Sequence, residues 1–100
     1  MKHLNFENTE EFERVFKNAD IEITDAMVAG IVEAFDKKVK TADIFEITFD
    51  DAELAFEISL TSTQWELALE SCLSFYTKAE ESDKAIETYL LQKNIRKWLS

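Results

Sequence analysis

The chain contains no proline and a single glycine, Gly30, in 100 residues. Helices disfavour both residues and loops want them, so this scarcity predicts a helix-dominated fold with short connections. It also excludes a glycine-rich phosphate loop. A lone cysteine, Cys72, excludes an internal disulfide and is compatible with a reducing, cytoplasmic setting. His3 is the only histidine, and no second metal-ligand type lies near it in sequence. No stretch approaches ~18 consecutive apolar residues, so no membrane span is expected. Residues 1–4 open with a base, but no apolar stretch follows, so no signal peptide is expected.

Basic residues are also few, 11 against 21 acidic ones, for a net charge of −10. Affinity for phosphate comes mainly from Lys and Arg, so direct nucleic-acid binding is disfavoured. The same charge repels anionic lipid surfaces. Basic proteins remain as natural partners. Because 46% of the residues are apolar, the chain is expected to fold as one domain over residues 1–100 without staples.

The negative charge is concentrated. Residues 42–60 hold Asp43, Glu46, Asp50, Asp51, Glu53 and Glu57 and no base. In this stretch the apolar period falls to two. Phe45, Ile47 and Phe49 alternate with Glu46 and Thr48; after a turn at Asp50-Asp51, Leu54, Phe56, Ile58 and Leu60 alternate with Ala55, Glu57 and Ser59. The pattern predicts a β-hairpin with an oily face laid on helices and an acidic face in water. Pairing Phe49 with Leu54 would set Glu46 opposite Glu57, and opposed like charges destabilise a sheet.

Helical spacing surrounds the hairpin. Leu4 and Phe6 share one side of a short N-terminal strand. Asn8 with Glu11 suggests a capping box, with Thr9 as the alternative cap, for a helix reaching about Ala19, with Phe12, Val15, Phe16 and Ala19 on its stripe. Ile21-Glu22-Ile23 reads as a bridge to a second helix, capped by Thr24 or Asp25 and ending near Thr41. Met27, Val28, Ile31, Val32, Phe35 and Val39 face its core side. Gly30 lies off that stripe and either marks a close backbone approach or is simply tolerated. Thr61, Ser62 and Thr63 offer three caps in a row, Thr63 with Glu66 as a capping box, for a third helix carrying Trp65, Leu69, Cys72 and Tyr76, and Ser82 or Asp83 caps a fourth. The fourth helix has two apolar stripes: Ala85, Ile86, Tyr89 and Leu90, then Leu91, Ile95, Trp98 and Leu99 roughly opposite. The expected class is α+β, in the order ααββαα, with the N-terminal residues as a third strand.

Residues 58–76, which run a strand into a Gln64-Trp65 helix with Cys72-Leu73 and then Phe75-Tyr76, resemble a pattern in small uncharacterised acidic proteins of T4-like phages of marine cyanobacteria. Residues 83–88 and Leu90-Leu91 resemble the next helix of that pattern. The resemblance covers less than half of the chain. It implies phage origin and carries over no catalytic residue.

No arrangement of residues supports catalysis, a metal or a cofactor. The turn carboxylates lack the spacing and the glycine of a calcium loop. Glu46 and Glu57 across an exposed hairpin lack the cleft that acid–base chemistry needs. Cys72 lies on a buried stripe, where thiols are inert. The chain therefore reads as a non-enzymatic binding protein. Glu46, Asp50, Asp51, Glu53 and Glu57 would dock on a basic, nucleic-acid-handling protein and inhibit it by imitating phosphate. The alternative is a structural or adaptor protein assembling through Leu91, Ile95, Trp98 and Leu99, which leaves a homodimer open.

Overall fold

The computed structural model describes residues 1–18 and 21–100. Its elements run β1 (Lys2–Phe6), α1 (Thr9–Lys17), α2 (Ile21–Asp36), β2 (Thr41–Phe49), β3 (Ala52–Thr61), α3 (Ser62–Lys78) and α4 (Ser82–Leu99). The α+β class is as expected, but the strand at the front belongs to the frame. β1 pairs parallel with β2, which pairs antiparallel with β3, giving a mixed sheet in the order β1-β2-β3. Parallel neighbours need a crossover, and α1 and α2 supply it.

The sheet presents one face to the helices and one to water. Leu4 and Phe6 of β1 sit beside Ile47 and Phe49 of β2 on the covered side, while His3 and Asn5 sit beside Glu46 and Thr48 on the open side. Phe45 and Ile47 are fully buried at the centre. α2 lies on β2 and against α3, and α3 packs on α4. The 16 Å short axis fits a single sheet under a single helix layer.

Local chemistry sets the element ends. Asn8 Oδ1 accepts from the Glu11 amide at 2.9 Å, and the Glu11 carboxylate reaches back to the Glu7 amide at 2.8 Å. Asn8 is therefore the cap, but the Glu11 side chain returns to Glu7 and not to Asn8, so only half of the expected box is made. α1 is described to Lys17; Ala19 lies outside the described residues. α2 already begins at Ile21, so the bridge expected over residues 21–23 is helix, and neither Thr24 nor Asp25 is its cap. Ile23 is buried on the core side, which is what draws the segment into the helix. α2 also stops at Asp36, short of Thr41. Lys38 turns left-handed (φ 57°), the Val39 amide bonds back to Ala34 O at 3.1 Å, and Val39 is left exposed. Of the three candidate caps α3 uses the first, Thr61, and its box is closed by Gln64, whose side chain accepts from the Thr61 amide at 2.9 Å, instead of by Thr63 with Glu66. α4 begins after Glu81 with no side-chain cap, although Ser82 and Asp83 stand at its start.

The fourth helix corrects the largest misreading. Leu91 and Ile95 are core, and Trp98 is half-buried, stacked on Trp65 with ring centroids 6.2 Å apart and edge-on to Phe35 at 5.5 Å. The buried row continues through two polar residues. Thr88 bonds its hydroxyl to Lys84 O at 2.8 Å, and Gln92 donates to Glu70 at 3.0 Å. The buried stripe of the helix therefore runs from Thr88 through Ile95 to Trp98. Leu99 remains exposed, as do Ile86, Tyr89 and Leu90 of the first half.

Candidate functional site

The open face of the sheet gathers the acidic residues. Glu46 and Glu57 are Cα partners across β2 and β3. Alternation along β3 puts Glu53, Ala55, Glu57 and Ser59 in one outward row. The Ser59 hydroxyl donates to Asp43 Oδ1 at 2.8 Å. At the turn end, Asn5 Nδ2 donates to Asp50 Oδ1 at 2.9 Å and its Oδ1 accepts from Thr48 at 2.7 Å, fixing Asp50 beside β1. Asp51 projects from the turn, exposed. The five expected carboxylates thus belong to one rigid element; Glu46 and Glu57 oppose each other directly, Glu53 extends their row, and Asp50 and Asp51 close its end. Sequence reasoning left out two neighbours. Asp43 counted only toward the charge of the segment, although its place in the strand alternation was a usable signal. His3 Nδ1 lies 3.5 Å from Glu46, a parallel-strand contact that no local pattern announces.

The covered face is less covered than expected. Leu54 is 58% exposed and Phe56 is 50% exposed. Phe56 touches only the rim of the aromatic cluster, edge-on to Phe49 at 5.9 Å. That cluster joins Phe6, Phe12, Phe16, Phe45 and Phe49 under the nine-residue α1, and so short a helix does not reach across to β3. Pairing also loosens here. Thr48 faces Ala55 but Phe49 faces Ala52, so Glu53 and Leu54 bulge from the ladder. They line a shallow recess of about 410 Å³ with Phe49 and Asp50.

A second polar cluster ties the helices together. Asp25 of α2 accepts from the Tyr76 hydroxyl at 2.5 Å and from Lys84 Nζ at 2.9 Å. Burial raises the Asp25 carboxyl, but those two donors outweigh it and leave its pKa below the ordinary value. Burial and the bond to Asp25 raise the Tyr76 hydroxyl. Burial, with the Asp25 charge, pushes the Cys72 thiol up to about 11. Cys72 is therefore held as the neutral thiol, with its Sγ 3.8 Å from Met27 Sδ. This cluster has the marks of a packing joint between α2, α3 and α4.

Among the described residues, no group of three His, Cys, Asp or Glu side chains is placed to hold a metal ion. No helix of the described residues is long and apolar enough to cross a membrane. No protein-family model, curated protein or solved structure matches this chain.

Proposed function

We propose that the protein is a non-catalytic binding protein that lays the acidic face of its sheet on a basic, nucleic-acid-handling protein and inhibits it by occupying the groove meant for phosphate. Inhibitors of phage anti-defence type and toxin-immunity proteins are of this kind. The observation that carries this reading is the opposed pair Glu46 and Glu57 on the open face of a sheet segment that holds six acids and no base. Opposed carboxylates weaken the ladder by a few tenths of a kcal/mol. A sheet shaped by stability alone would avoid that arrangement, whereas a surface meant for cations is served by it. Such charges speed encounter and select the partner, and apolar contacts then hold the complex.

The test compares the protein with a Glu46→Gln, Glu53→Gln, Glu57→Gln variant as bait in host lysate, washed at ~50 mM and ~500 mM salt. The expected result is a basic protein retained at low salt, thinned at high salt, displaced by duplex DNA and lost from the variant bait. Retention that is equal on both baits, or indifferent to DNA, overturns the proposal.

A further inference from the structure

β3 is an edge strand. Among the described residues only β2 pairs with it, so alternate residues from Ala52 to Ile58 direct their N–H and C=O groups outward, while at the far end Leu60 O accepts from Trp65 Nε1 at 2.9 Å. Such edges are usually short, covered or blunted by charge. This one is ten residues long, and its two side-chain rows differ in chemistry. The helix-side row includes Leu54 and Phe56, both at least half exposed, and the water-side row includes Glu53 and Glu57.

We infer that β3 is a docking edge for an extended segment of the partner protein in which apolar and basic residues alternate. Added as a fourth strand, that segment would bond its backbone to the free edge of β3. Its apolar row would cover Leu54 and Phe56, and its Lys or Arg row would meet Glu53 and Glu57. The inference rests on the acidic-face reading and deepens it by naming the backbone edge and the shape of the ligand.

Charge decides between this occupant and a second copy of the chain. An antiparallel β3–β3 pair centred on Ala55 puts Leu54 against Phe56 but also sets Glu53 opposite Glu57 twice. Centring the pair on Phe56 leaves the same acids diagonal to one another. Registers odd by one residue turn the apolar row to the wrong face. The acids that discourage self-pairing are the same ones that favour a basic strand.

The test uses dye-labelled synthetic peptides and fluorescence anisotropy with the full chain. The parent peptide alternates arginine with valine; a control of equal composition groups its arginines and valines in two blocks. Two further versions carry N-methyl groups on one or the other set of alternate backbone amides. Expected are binding of the parent, binding on the order of tenfold weaker for the block control, and loss of binding for only one methylated version, since the other set of amides faces away from β3. Leu54→Ser and Phe56→Ser, at exposed positions, should leave the melting temperature nearly unchanged and weaken the parent. Equal binding of parent, block and both methylated peptides, lost in the Glu46→Gln, Glu53→Gln, Glu57→Gln variant, overturns strand addition and leaves the acidic-face reading standing. No binding of the parent, or a dimer of the chain abolished by Leu54→Ser, overturns the inference.

Discussion

Glu46 and Glu57 meet as direct partners across β2 and β3, both on the side turned to water. Replacing one of them with a cation converts repulsion into attraction. Glu57→Lys is expected to stabilise the fold by roughly 0.5 kcal/mol, read as a higher urea midpoint at unchanged slope, and to weaken capture of a basic partner. Glu57→Gln should fall between the two in both measurements.

The Asp25 joint gives a pH dependence with a definite sign. The folded pKa of Asp25 lies below its ordinary value, after the Tyr76 and Lys84 bonds outweigh burial. Its contribution is therefore complete above the unfolded carboxyl pKa of about 3.9 and is lost as pH falls through the lower folded value. Lys84 is shifted upward, first by its bond to Asp25, so its share persists through neutral pH and is lost only on the far alkaline side. Asp25 is half open to water, which screens the pair. Asp25→Ala should cost about 1 kcal/mol at neutral pH, and the difference from the parent should shrink below about pH 3 in a urea series.

Gly30 marks a close approach. A Cβ there would sit 2.6 Å from Ile44 Cδ1 and 3.3 Å from the Asp43 carbonyl oxygen. Alanine gains about 1 kcal/mol of helix propensity, but Ile44 is fully buried and has little room to turn aside. Gly30→Ala is expected to destabilise by about 1–2 kcal/mol. In the background of Ile44→Val, which removes Cδ1, the same change should cost clearly less, and a double-mutant cycle measures the difference.

Glu80 closes α3 in the left-handed region, φ 59°, where an L side chain is strained, and the next amide bonds back to Tyr76 O at 2.9 Å. Glu80→Gly should raise stability by about 1 kcal/mol in thermal or urea unfolding. Lys38, φ 57°, should gain less, because its ammonium lies 3.6 Å over the Phe35 ring and 5.3 Å from Trp98, contacts that glycine would forfeit.

The hairpin was legible because an alternating strand shows its faces in sequence, and the Glu46–Glu57 pairing followed from a Phe49–Leu54 register that the structure keeps from Phe45 to Thr48 and abandons at the turn. The bulges were not legible. They slide Phe49 from Leu54 to Ala52 without changing the alternation of oily and polar residues. The start of α2 was hidden because Ile21-Glu22-Ile23 fits both a strand period and a helix turn. α4 was misread because an apolar count skips Thr88 and Gln92, whose own hydrogen bonds let them remain inside. The exposure of Leu54 and Phe56 could not be foreseen, since a strand carries the same residues whether or not a helix happens to cover it.

β1 closes the sheet from the far end of the chain. Its partner β2 arrives only after α1 and α2 have been laid down, while β2 with β3 and α3 with α4 are neighbours in sequence. Loop-closure entropy therefore places β1 last in the order of assembly and first in the order of fraying. Release of Lys2–Phe6 would not add an edge but would pass that edge of the sheet from the five-residue β1 to the nine-residue β2, which is otherwise paired on both sides.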